Sequence, residues 1–102
     1  MNSRFPPLRV SAGLAGYARA HSASMSGSRS LFHTGDLRVV CCWSSISENV
    51  AFDDTARAAH RALMRSPSHR ANILDPTKGA VGVGIARENG MIWVTQVFRG
   101  PR

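Results

Sequence analysis

The chain contains 102 residues, a length that suits a single domain with one modest hydrophobic core. Hydrophobic residues make up 43% of it and charged residues 19%, which is typical of a globular protein and excludes a disordered or fibrous one. No apolar stretch approaches the roughly 20 residues that a membrane-spanning helix needs, so we expect no transmembrane segment.

The formal net charge is +7, and arginine supplies most of the positive charge. This balance favours anionic partners such as nucleic acid, acidic lipid headgroups or wall polymers. The arginines are nevertheless scattered without a dense run, a distribution more typical of a solvated basic surface. The amino end, Met1 to Leu8, lacks the apolar core of a signal peptide. Two interpretations therefore stay open: an intracellular protein, or a sequence without its export segment.

The first predicted helix begins after Ser11, a residue that can cap it. An apolar stripe at helical spacing follows, made of Leu14, Tyr17, Ala18, His21 and Met25. His21 lies on this stripe, so a structural histidine is favoured over a ligand. The Ser- and Gly-rich segment 22–30 predicts fraying of the helix. Residues 37–43 predict a short strand, in which the neighbours Cys41 and Cys42 are interpreted as buried thiols rather than a strained disulfide.

A loop is predicted over residues 44–47, followed by a second helix that starts at Asp53 or Asp54. We expect its buried face to consist of Ala56, Ala59, Leu63 and Met64. Ser66-Pro67 ends this helix and begins a third one, with Ser66 as cap and Pro67 as the first helical residue. His69 then lies in the first turn of a short helix that runs to about residue 74.

The clearest structural pattern lies in the carboxyl-terminal third. Val81, Val83 and Ile85 alternate with small residues at positions 82, 84 and 86, which predicts a strand whose small face allows close approach of a helix. Asn89-Gly90 tolerates the positive φ angles of a tight hairpin turn. A returning strand over residues 91–98 has apolar residues on both faces. A hairpin covered on both sides by helices predicts an α/β fold of three layers, α–β–α.

Three residues far apart in sequence have the chemistry of a divalent metal site: His33, Glu48 and His69. Two imidazoles and one carboxylate are typical ligands of zinc, and the same set also holds iron or another transition metal. A serine hydrolase is disfavoured because the chain has no Gly-x-Ser-x-Gly motif. The chain also lacks a Walker loop, a dinucleotide-binding motif and zinc-finger spacing.

The ordered motifs along the chain resemble the bacterial branch of the CAP superfamily, named for cysteine-rich secretory proteins, antigen 5 and pathogenesis-related proteins. The resemblance covers nearly all of the chain. The motifs that carry it are Phe32-His33-Thr34, Glu48-Asn49-Val50-Ala51, Ser66-Pro67-Ser68-His69-Arg70-Ala71-Asn72-Ile73-Leu74, Val81-Gly82-Val83-Gly84 and Trp93-Val94-Thr95-Gln96-Val97-Phe98.

This resemblance implies an α–β–α sandwich of the CAP type, with a cleft lined by His33, Glu48 and His69. It implies an extracellular or cell-envelope domain that binds a divalent metal, zinc foremost, and a small-molecule, lipid or envelope ligand. A peptidase or other hydrolase using Glu48, His33 and His69 is the alternative, and binding of an anionic polymer or nucleic acid ranks last. Several features depart from the family: segment 63–66 lacks a second cleft glutamate, Ser47 replaces a glycine, Leu63 stands where an aromatic residue is common, and residues 35–46 match poorly. Residues 1–102 are expected to form one domain without the family's first helix.

Overall fold

A computed structural model describes residues 8–35 and 45–100 of the chain. Within these ranges the chain forms four strands and three helices. The strands are β1 (Arg9–Val10), β2 (Ile46–Asp53), β3 (Ala80–Glu88) and β4 (Met91–Arg99). The helices are α1 (Ala12–Ser28), α2 (Ala56–Arg65) and α3 (Pro67–Ile73). None of these helices is both long and apolar enough to cross a membrane.

The four strands form one sheet in the order β1-β3-β4-β2. The β3–β4 and β4–β2 pairs are antiparallel, whereas β1 pairs with β3 in parallel. The predicted hairpin is confirmed: Asn89 and Gly90 have φ angles of 54° and 76°, the left-handed geometry that a tight turn needs. Strand β2 lies at the outer edge of this described sheet, so its residues border the site described below.

Helix α1 packs against one face of the sheet. Ser11 caps it as predicted, because its Oγ accepts the backbone N–H of Leu14 at 3.2 Å. The small face of β3 lies beneath the helix, since a β-carbon added to Gly82 or Gly84 would collide with helix backbone. The predicted close approach is therefore confirmed. The contact between α1 and the sheet belongs to a buried hydrophobic cluster that also includes Val97.

The predicted fraying over residues 22–30 is wrong, because α1 continues to Ser28. Ser22 is fully buried; its Oγ donates to Gly84 O at 2.8 Å and lies 2.8 Å from Thr95 Oγ1. Met25 is also fully buried, against Val50 and Trp93. These tertiary contacts supply what serine and glycine lack in helix propensity.

Helices α2 and α3 cover the opposite face of the sheet, which completes the predicted three-layer α–β–α arrangement. The core on this side consists of Ala51, Ala59, Leu63, Ile92 and Val94, with Ile73 and Ile85 packed against it. The predicted start of α2 at Asp53 or Asp54 is wrong. Thr55 is the cap instead, since its Oγ1 accepts the N–H of Ala58 at 3.0 Å.

Three further sequence expectations differ from the structure or lie beyond it. Ala56 is exposed rather than buried, because the helix begins there and the core contacts come from the next turns. Strand β2 begins at Ile46, inside the predicted loop over residues 44–47, through pairing of Ile46 with Arg99 of β4. The predicted strand over residues 37–43, with Cys41 and Cys42, lies outside the described residues.

Candidate functional site

The site is built around the carboxylate of Glu48. Glu48 faces α1 from β2, and its side chain is only 1% exposed. Its charge is stabilised by hydrogen bonds to both oxygens. Oε1 accepts the backbone N–H of Thr34 at 2.8 Å, and Oε2 accepts the Thr34 hydroxyl at 2.6 Å. A buried carboxylate needs such donors, because burial without them carries a large desolvation cost.

His33 is the third partner of this carboxylate. Its Nδ1 lies 3.0 Å from Glu48 Oε1, and its side chain is 59% exposed. Because a carboxylate accepts hydrogen bonds, Nδ1 is the nitrogen that carries the proton here. The other ring nitrogen, Nε2, makes no hydrogen bond to a described residue. A histidine fixed in this way by a carboxylate is oriented to use Nε2 as a ligand or proton acceptor.

His21 on α1 holds the segment that carries His33 and Thr34. Its Nε2 donates to the carbonyl oxygen of Phe32 at 2.7 Å, and its ring meets the Phe32 ring edge-on at 5.0 Å between centroids. Its Nδ1 lies 3.3 Å from Thr34 Oγ1. The structural role expected for His21 is thus a specific one: this side chain links α1 to the His33 segment. The sequence analysis did not predict that Thr34 binds the Glu48 carboxylate. Its position directly after His33 was the available signal.

His69 approaches β2 from the other side of the sheet. Its Nδ1 lies 2.8 Å from Ser66 Oγ, and its carbonyl oxygen accepts Asn49 Nδ2 at 3.0 Å. Asn72, from the same helix, donates to Asn49 Oδ1 at 2.8 Å and lies 3.5 Å from Glu48 O. Asn49 is fully buried, so these amides tie α3 firmly to β2 beside Glu48.

Of the three predicted site residues, the structure brings His33 and Glu48 into direct contact. His69 belongs to the neighbouring amide network, through its backbone. Across residues 8–35 and 45–100, no group of three His, Cys, Asp or Glu side chains is arranged to hold a metal ion. The predicted metal site, with zinc and the ligands His33, Glu48 and His69, stays a prediction.

Ser47, directly before Glu48, is one of the positions at which the sequence departs from the family pattern. Its Oγ is buried and has no hydrogen-bond partner within residues 8–35 and 45–100. An unpaired buried hydroxyl is destabilising, because it loses its hydrogen bonds to water without replacing them. The hydroxyl therefore adds a cost to the strand without contributing to the contacts of Glu48.

Comparison with known proteins identifies the family. The family model of the cysteine-rich secretory proteins, CAP, matches residues 2–98. The chain belongs to the CAP family. A search of curated proteins by sequence gave no significant match.

Solved structures resemble this CAP domain in fold. An outer surface protein from Borrelia burgdorferi superposes with a TM-score of 0.85 at 14% identity, covering 96% of this chain and 80% of that one. An extracellular protein containing an SCP domain, from Bacillus anthracis, gives a TM-score of 0.79 at 23% identity over 94% of this chain. A cysteine-rich secretory protein from Staphylococcus aureus gives 0.77 at 19% identity, again over 94%. This chain spans 34% and 32% of those last two proteins.

Proposed function

We propose that this CAP domain is an extracellular or envelope binding domain whose cleft holds a divalent cation through the imidazoles of His33 and His69. The observation that carries the proposal is the contact between Glu48 and His33 at 3.0 Å. The carboxylate fixes Nδ1 of His33 as the protonated nitrogen and leaves the lone pair of Nε2 free to coordinate a metal ion. Metal-ligating histidines are commonly oriented by a carboxylate in this way.

The donor chemistry fits a two-histidine site better than a site with direct ligation by Glu48. Oε1 of Glu48 already accepts two hydrogen bonds and Oε2 accepts one, and the side chain is only 1% exposed, so the carboxylate is less accessible to a metal ion than the exposed imidazole of His33. Nδ1 of His69 lies 2.8 Å from Ser66 Oγ, and when this nitrogen donates to the hydroxyl, Nε2 is the nitrogen that binds metal. Zinc accepts imidazole nitrogen, with water completing its coordination. A bound divalent cation would supply positive charge for an anionic group of a small or lipidic ligand.

The same contacts disfavour the hydrolase alternative. A general base needs a lone pair within reach of the proton that it abstracts. The Glu48 carboxylate is buried and has three hydrogen-bond donors around it, two of them from Thr34. This supports a role of Glu48 in orienting His33 rather than in abstracting a proton from substrate.

The extracellular or envelope location rests on the relatives. Two of the solved structures are described as an outer surface protein and as an extracellular protein. Their similarity to this chain supports the same location for it. Detection of the native protein in culture supernatant or the envelope fraction, with a cytosolic enzyme as marker, tests this assignment. Recovery of the protein only in the fraction that contains the cytosolic marker would contradict it.

Zinc titration by calorimetry tests the proposed metal site. We expect the chelator-treated wild-type protein to bind about one zinc ion, and His33→Ala and His69→Ala each to weaken binding at least about tenfold. Glu48→Gln should also weaken it, because glutamine orients His33 less firmly. His60→Ala is the matched control, since His60 is exposed on α2. Wild-type affinity in His69→Ala would refute the joint site, as would an equal loss in His60→Ala.

A further inference from the structure

A groove lies on the α1 face of the sheet, and its lining does not include His33, Glu48 or His69. It is an open groove of about 550 Å³, lined by Leu31, Phe52, Met91 and Trp93 and by the charged side chains of Arg29 and Glu88. A volume of this size falls within the range of small-molecule sites. Phe52 is four residues beyond Glu48 on β2, which corresponds to roughly 13 Å along a strand.

The apolar part of the groove contains two aromatic rings. The rings of Phe52 and Trp93 pack against each other with centroids 4.2 Å apart. Phe52 nevertheless remains 44% exposed and Leu31 50% exposed. Two large apolar side chains that border one groove and keep about half their surface in water mark a candidate binding site. An aromatic ligand would cover this surface and gain contact with the Phe52 ring.

Arg29 and Glu88 place one charge of each sign beside the groove, and the hydrogen-bond donors of Arg29 are the feature that suits an anionic ligand. Glu88 Oε1 accepts the Ser26 hydroxyl at 2.9 Å, and Oε2 faces Arg29 Nη2 at 3.6 Å. Arg29 is 73% exposed, and this contact is too long for a hydrogen bond, so among residues 8–35 and 45–100 Glu88 leaves the guanidinium donors open to a ligand. The formal charge of +7 adds a general attraction for anions.

We propose that this groove binds a small aromatic acid, with its ring on Phe52 and Trp93 and its carboxylate paired with Arg29. A planar guanidinium matches a carboxylate in a bidentate geometry, which gives Arg29 the role of the specificity-determining residue. The proposal is independent of metal binding in the Glu48 cleft, because it uses none of the cleft residues.

Three probes of one shape but different charge test the ligand class: 2-naphthoate, neutral 2-naphthamide and cationic 2-naphthylmethylammonium. Titration is followed by calorimetry at about 0.15 M salt, where long-range attraction is largely screened. We expect saturable binding of the naphthoate and weaker binding of the other two. Absence of saturable naphthoate binding would overturn the proposal. Equal or tighter binding of the amide or the ammonium probe would overturn the assignment of an anionic ligand.

Variants test the residues. Phe52→Ala and Leu31→Ala should each weaken naphthoate binding, by about tenfold for Phe52. Leu31 lies outside the helices and strands, so its variant keeps the test informative if Phe52→Ala fails to fold. Arg29→Gln should weaken naphthoate about two- to fivefold, because the pair is exposed, and leave the amide unchanged. Arg57→Gln, at an exposed position of α2, removes the same charge elsewhere and should leave naphthoate affinity unchanged. Naphthoate affinity unchanged in Leu31→Ala and Arg29→Gln would refute the site.

Discussion

Replacing Gly84 with alanine tests the packing that positions α1 and, through it, His21. An added β-carbon would lie 2.5 Å from Arg19 Cα and closer still to Arg19 N. Carbon atoms normally pack at about 3.5–4.0 Å, so the helix would have to move by roughly 1 Å. The neighbours are backbone atoms, which cannot rotate away. Overpacking of this kind costs about 1–3 kcal/mol, and we expect the upper end.

Urea denaturation followed by circular dichroism measures this cost. The matched control is Gly27→Ala, also a Gly-to-Ala change, within α1, where an added β-carbon meets no atom within 4 Å. The control should raise the free energy of unfolding by about 0.5–1 kcal/mol, because alanine is the better helix former. Gly84→Ala should lower it by about 3 kcal/mol. A Gly84→Ala protein as stable as the wild type would refute the reasoning that glycine is required for the close approach of α1.

Three further predictions follow from local contacts. Thr34→Val removes the hydroxyl that donates to Glu48 Oε2 and should cost about 1–3 kcal/mol of stability at neutral pH. Thr34→Ser keeps a hydroxyl and should retain most of the wild-type stability. An equal loss of stability in both variants would contradict this. Ser47→Ala removes a buried hydroxyl that no described residue pairs with and should raise stability by about 0.5–1 kcal/mol, and a lower denaturation midpoint would argue against it. The hydrogen bonds from the side chain and backbone of Thr77, with Lys78, lower the pKa of Asp75 to about 2. Because this lies below the unfolded value, the stabilisation is complete above pH of about 4 and is lost as the pH falls towards 2. Wild type should lose about 1–2 kcal/mol more than Asp75→Asn over that range, and parallel pH profiles in urea denaturation would contradict it.

The elements that could be predicted best from the sequence are those that depend on the conformational preferences of neighbouring residues. Asn89-Gly90 specifies a tight turn by its backbone preferences alone, and alternation of small and branched residues predicted both faces of β3. Ser66-Pro67 marked the boundary between α2 and α3 for the same reason. The continuation of α1 was not predictable in this way. It depends on contacts of Ser22 and Met25 with strands more than twenty residues away in sequence.

The candidate site was predictable in its residue types but not in its connections. The motifs around His33 and Glu48 indicated ligand-type side chains, and the structure joins those two directly. The contributions of His21 and Thr34 depend on the path of segment 30–35 over α1, which composition and spacing do not reveal. The same applies to the amides of Asn49 and Asn72, which become partners only when α3 docks on β2.

The central claim is that Glu48 fixes His33 for metal binding together with His69. Long-range proton–nitrogen NMR of the histidine side chains, recorded at pH 8 during addition of zinc, tests it most directly. Before zinc is added, His33 should carry its proton on Nδ1. On addition, the Nε2 signals of His33 and His69 should shift together while those of His21 and His60 stay unchanged. A proton on Nε2 of His33, or a His69 signal unaffected by zinc, would contradict the claim.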